Sequence, residues 1–284
     1  MLIQKSFAGS VVALNYREGP ASGPALLLLH GLTQRWQAFL PLMPQLVLTH
    51  HVFAIDLRGH GLSGHVNDGY RGEDYGRDFV EFVEQVVKEP VILFGHSLGG
   101  MVGIHVAGYL SKLVRALIVG DSSLFRQNAN RAVYFEMFQK TLALLERRLD
   151  QETLRRELGE MTLHSPAYGE IQMKALPNTD EAYLAAWASS LSHMDPAALA
   201  MTLDGRASEN WRPKEFLQKV ECETLLLQAD PKLGGLMTDE DVAGARSLLR
   251  NSLHVQLKGV GHSLQMSDAP AVGRVVTNFL AGLE

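Results

Sequence analysis

The chain is expected to fold as an α/β protein around a mostly parallel sheet, and three observations lead there. Short continuous apolar runs, residues 25–29 and 91–94 among them, have the composition of strands buried on both faces. Longer stretches with apolar residues at helical spacing separate these runs. The two kinds of segment alternate, as parallel strands joined by crossover helices do.

Taken in order, residues 3–7 and 11–16 form an antiparallel hairpin with Ala8-Gly9-Ser10 as its turn. Strand runs follow at residues 25–29, 52–55, 91–94, 116–119 and 224–228. Residues 253–257 alternate more, as a strand nearer an edge does. Residues 74–88 place Phe79, Phe82, Val83, Val86 and Val87 on one helical face. Residues 98–110, 239–249 and 269–283 supply the other core helices. After Ser123 the alternation stops. Residues 134–149, 152–161, 179–192 and 195–203 read as helices, with no convincing strand among them. Residues 124–213 are therefore expected to be a helical insertion, and residues 1–123 with 214–284 the core domain.

Composition narrows the function classes. A net charge of -5 leaves no basic footprint for nucleic acid and no polybasic membrane signal. No apolar run reaches the ~18 residues of a membrane span. The opening Met1-Leu2-Ile3-Gln4-Lys5 lacks the apolar core of a signal peptide. The single cysteine, Cys222, excludes an internal disulfide, and a cytoplasmic setting is expected.

The most informative stretch runs from Val91 to Gly100. It is a strand, then Gly95-His96-Ser97-Leu98-Gly99, then a helix. A serine in so sharp a turn needs small residues two before and two after it. The turn lifts the hydroxyl above the sheet and sets a helix N-terminus beneath it. A serine hydroxyl also needs a base. His262 follows a late strand in a glycine-rich loop, at the sheet edge where α/β proteins gather their sites. A carboxylate must hold the imidazole, and both Asp121 and Asp230 end strands. The chain order serine, aspartate, histidine holds for either. The oxyanion donors are expected to be the N–H groups of Leu98, which follows the serine, and of Leu32 in the loop His30-Gly31-Leu32-Thr33.

Together these segments resemble the α/β-hydrolase superfamily. The matches are His30-Gly31, the run Asp56-Leu57-Arg58-Gly59-His60-Gly61-Leu62-Ser63, the serine turn and Gly261-His262, in the family's order along nearly the whole chain. The resemblance implies a sheet of about eight strands with one antiparallel near the start. It implies that Asp56, Arg58, His60 and Ser63 build a structural turn, and that residues 124–213 cap the active site. It favours Asp230 as the acid, because most members take it from the strand after the cap; a minority take it from the earlier strand, where Asp121 stands. Asp230 follows Ala229 directly, a departure from the longer G-x-x-D turn of many relatives. Serine at the turn argues against the dehalogenase and epoxide hydrolase branches, which place aspartate there.

The expected activity is hydrolysis of carboxylic esters or lactones of small to medium, fairly apolar molecules, with no metal or organic cofactor. Carbon–carbon hydrolysis of a diketone and a ligand receptor with little turnover are the alternatives. Trp36, just after the oxyanion loop, and Phe125, Trp187 and Met194 of the insertion are the candidate substrate contacts, and the insertion also supplies Tyr134, Phe135 and Phe138. His164, His193 and Arg131 are candidates for a polar substrate group.

Overall fold

A computed structural model describes residues 2–125, 131–165 and 168–283; Met1 of the opening segment lies outside them. The strands are β1 (Ile3–Ala8), β2 (Ala13–Glu18), β3 (Ala25–Leu29), β4 (His51–Ile55), β5 (Val91–His96), β6 (Val114–Gly120), β7 (Thr162–Ser165), β8 (Gly169–Gln172), β9 (Glu223–Ala229) and β10 (Ser252–Leu257). The helices are α1 (Met43–Leu46), α2 (Gly72–Phe82), α3 (Leu98–Tyr109), α4 (Arg131–Glu146), α5 (Gln151–Glu160), α6 (Glu181–Leu191), α7 (Pro196–Leu203), α8 (Pro213–Leu217), α9 (Asp239–Leu248), α10 (Leu264–Ser267) and α11 (Ala269–Ala281).

Eight strands form one sheet in the order β1-β2-β4-β3-β5-β6-β9-β10. Only β2 runs against its neighbours, pairing antiparallel with both β1 and β4. The apolar runs became the sheet's centre because side chains alternate across a strand. Leu27 and Leu29 of β3 face one core with Phe79 of α2 and Val102 of α3. Leu26 and Leu28 face the other with Val272 and Val276 of α11. Each such buried side chain contributes roughly 1.5–3 kcal/mol, so the interior strands are the best-anchored elements. Their parallel register brings the ends of β3, β5, β6 and β10 to one edge, where the connecting loops meet.

Two expectations need correction. The first hairpin turns later than its sequence suggests: β2 begins at Ala13, and Val11 is exposed. The segment between β6 and β9 is not wholly helical, since β7 and β8 pair as a short antiparallel hairpin. Each is only four residues long, and Leu163 is the one side chain of the pair that is fully buried. That is too little apolar pattern to mark a strand. Among the described residues no helix is long and apolar enough to cross a membrane.

Candidate active site

Ser97 sits between β5 and α3 with φ 54° and ψ -116°, a conformation that ordinarily costs on the order of 1–3 kcal/mol. The strain is held from β6. The Ser97 N–H donates to the Gly120 carbonyl at 2.8 Å, and the Ser122 hydroxyl donates to the Ser97 carbonyl at 2.8 Å. The flanking glycines are required by contact: a Cβ on Gly95 would lie 2.1 Å from the Gly99 carbonyl oxygen, and one on Gly99 would lie 2.0 Å from that of Leu29. Leu98 opens α3, so its N–H has no helical acceptor.

His262 occupies the loop after β10. Its Nδ1 lies 2.6 Å from Oδ2 of Asp121. Asp121 ends β6 with φ 42°, and its carboxylate is fully buried. Oδ1 also accepts from the N–H groups of Ala229 (3.1 Å) and Met237 (3.0 Å), and Oδ2 from Leu236 (2.8 Å). A donor at Nδ1 leaves Nε2 of His262 as the free basic nitrogen. The ring lies between two others, with centroids 4.8 Å from His96 and 5.0 Å from Tyr134. Burial drives the His96 pKa down to about 3, and its Nε2–H donates to the His262 carbonyl at 2.8 Å. A neutral imidazole thus holds the loop that carries His262.

Asp230 does not meet His262, which corrects the expectation drawn from the resemblance. Its carboxylate accepts from the Lys232 N–H at 2.9 Å and the Gly259 N–H at 2.9 Å. Those two amides, Gly259 foremost, hold its pKa below the usual carboxylate value. Asp230 is a turn cap that ties the β9 loop to the β10 loop.

Ser97, His262, Leu32 and Leu98 all line one cavity of about 700 Å3. Segments from between β6 and β9 form much of its wall, including Tyr134, Phe135 and Phe138 of α4 and Trp187 of α6. Side-chain hydrogen bonds bind α6 to the loops below, among them one from Arg35 Nη2–H to the Ser189 hydroxyl at 2.5 Å. Trp187 Nε1–H donates to the Thr33 hydroxyl at 3.2 Å, and Tyr183 hydrogen-bonds Ser263, beside His262. Of the four candidate substrate contacts only Trp187 faces the cavity. Trp36 lies beneath the Arg17 guanidinium, Phe125 packs on Gly244, and Met194 is buried in the core. His164 pairs with Glu136 on the outside of α4, and His193 contacts the Ser189 carbonyl; Arg131 does line the cavity.

The Asp56–Ser63 run lies outside this cavity as a buried turn. The Asp56 carboxylate accepts from the Trp36 N–H, the Leu62 N–H and Asn15 Nδ2. Arg58 makes two bonds to the Asp78 carboxylate, at 2.7 and 2.6 Å. His60 packs edge-on to His30, and burial lowers the pKa of each to about 3. Among the described residues no group of three or more His, Cys, Asp or Glu side chains converges as a metal site requires.

Residues 26–274 match the Alpha/beta hydrolase family. The chain belongs to that family. This α/β hydrolase is 37% identical over 110 residues to 2-(acetamidomethylene)succinate hydrolase from Mesorhizobium japonicum, a stretch that covers 39% of each chain. It is 27% identical to the serine hydrolase-like protein of Mus musculus, over 94% of this chain and 91% of that one. The N-formylmaleamic acid deformylase of Pseudomonas putida S16 superposes with a TM-score of 0.77 over 97% of this chain and all of that one; at 17% identity, the likeness is one of fold.

Sequence reasoning missed the roles of Ser122, His96 and Tyr183. Ser122 had a signal, since it directly follows a strand-ending aspartate. The contacts of His96 and Tyr183 are made with residues far along the chain and leave no local pattern.

Proposed function

We propose that this α/β hydrolase is a serine esterase: Ser97 is the nucleophile, His262 the base and Asp121 the acid, and residues 124–213 cap their pocket. The 2.6 Å contact between His262 and Asp121, on the same cavity that the strained Ser97 lines, carries the reading. Ser97 Oγ attacks the ester carbonyl carbon while His262 Nε2 takes its proton. The N–H groups of Leu32 and Leu98 receive the oxyanion, a kind of donor worth about 10²–10³ in rate. Collapse expels the alcohol oxygen, which takes the proton from His262. Water then gives a proton to His262 and attacks the acyl carbon, and Ser97 leaves with that proton. The largely apolar walls suit esters or lactones of small to medium size.

The test is steady-state hydrolysis of p-nitrophenyl esters of graded chain length. Short and medium esters are expected to turn over, with Ser97→Ala losing at least about 10⁴-fold in kcat. Retained turnover in that variant removes the serine from the mechanism. Faster turnover of a diketone than of any ester would move the reading to carbon–carbon cleavage.

A further inference from the structure

We propose that Arg131 is a specificity-determining residue and that the preferred substrate carries a carboxylate remote from the scissile carbonyl; this rests on the esterase reading of the same pocket. The chain has 31 acidic residues against 26 basic ones. Among the described residues, the cavity lining nonetheless includes no aspartate or glutamate, but two cations, Arg131 and Lys232. Lys232 lies beside the Asp230 carboxylate, which offsets its charge. Arg131 is different. Its guanidinium stacks over the Phe135 ring at 5.1 Å, and no carboxylate of the described residues forms an ion pair with it. Arg147, Arg155 and Arg206, from the same stretch between β6 and β9, each reach one, whereas Arg148 and Arg156 reach none among the described residues but do not line the cavity.

The position suits recognition of one end of a substrate whose other end reacts. Arg131 and Tyr134 share a face of α4, three residues and about 4.5 Å of axial rise apart. Tyr134 stands edge-on to His262, so Arg131 lies about one helical turn along α4 from the residue that packs on the imidazole, and both line the cavity. A guanidinium offers a planar fork of donors that a carboxylate fills with two hydrogen bonds. Arg131 also borders a shallow outer hollow with Glu136 and Gln139, while the Phe135 ring shields one face of its guanidinium from water and strengthens that attraction.

The experiment compares kcat/KM within two ester pairs. In the first, mono-p-nitrophenyl glutarate is set against p-nitrophenyl pentanoate, which places the charge on the acyl side. In the second, 4-acetoxybenzoate is set against 4-methylphenyl acetate, which places it on the alcohol side. Arg131→Gln is expected to lower the charged-to-neutral ratio in one pair by about tenfold or more, with partial recovery in Arg131→Lys. Ratios that stay within tenfold of wild type in both pairs overturn the proposal. Calorimetry with glutarate and the Ser97→Ala protein separates this from the esterase reading. Binding is expected there and is expected to weaken about tenfold or more when Arg131→Gln is added. Equal glutarate binding by the two proteins overturns the anion site, whereas Arg131-dependent binding without ester turnover in wild type removes only the esterase.

Discussion

His262 reaches past one strand to find its partner: Asp121 ends β6, and β9 lies between that strand and β10. The intervening strand ends in Asp230, whose carboxylate is taken up by two backbone amides. Asp121→Asn is therefore expected to lower kcat by about 10⁴, because the amide would leave the imidazole in the wrong tautomer. Asp230→Asn should stay within a few-fold, since only a turn cap is weakened. Steady-state kinetics on one ester decides the matter, and the opposite ranking would return the acid to β9.

Tyr134 meets His262 edge-on, and its hydroxyl donates to the Gly234 carbonyl at 3.2 Å. Tyr134→Phe keeps the ring and loses only that bond. Tyr134→Ala opens a void beside the imidazole. The alanine variant is expected to lose about tenfold or more in kcat, and the phenylalanine variant much less, as befits a residue that positions the base. Equal losses would place the effect in the hydroxyl rather than in the packing.

Three buried imidazoles set the acid limit of stability. Burial lowers the pKa of His30, His60 and His96 to about 3 in the folded chain. Unfolded histidine titrates near 6.5, so between those values the unfolded chain binds the extra protons. The stabilisation is complete above about pH 6.5 and is lost as pH falls toward 3. At full effect each group costs about 1.4 kcal/mol per pH unit, or about 4 kcal/mol for the three. Urea midpoints read by tryptophan fluorescence should drop steeply from pH 7 to pH 5; a flat series would show that these rings protonate in place.

Arg58 and Asp78 form an ion pair with both side chains almost fully buried. Arg58→Met strands a carboxylate and is expected to cost about 3–5 kcal/mol. Adding Asp78→Leu should restore much of that loss, because the uncompensated charge is gone. Denaturant unfolding of the single and double variants tests this, and an additive loss would contradict it.

The fold was legible where burial is two-sided. The run Ala25–Leu29 could only lie inside a sheet, and the glycines beside Ser97 announced a turn that admits no side chain. The choice between Asp121 and Asp230 was not legible. Both end strands, and they are separated by backbone detail: the positive φ of Asp121 and the amides of Leu236 and Met237 that face it. The cavity wall was legible only in part, since Trp36, Phe125 and Met194 have the composition of a binding site but pack away from it. Which face of an apolar segment turns inward is decided by its neighbours in space.

Trp187 and Tyr183 fasten α6 to Thr33 and Ser263, next to the residues proposed to hold the oxyanion and the base. Lifting α6 to admit a ligand would disturb the loops proposed to do the chemistry. The wall that α6 supplies should then behave as part of the reaction centre rather than as its door.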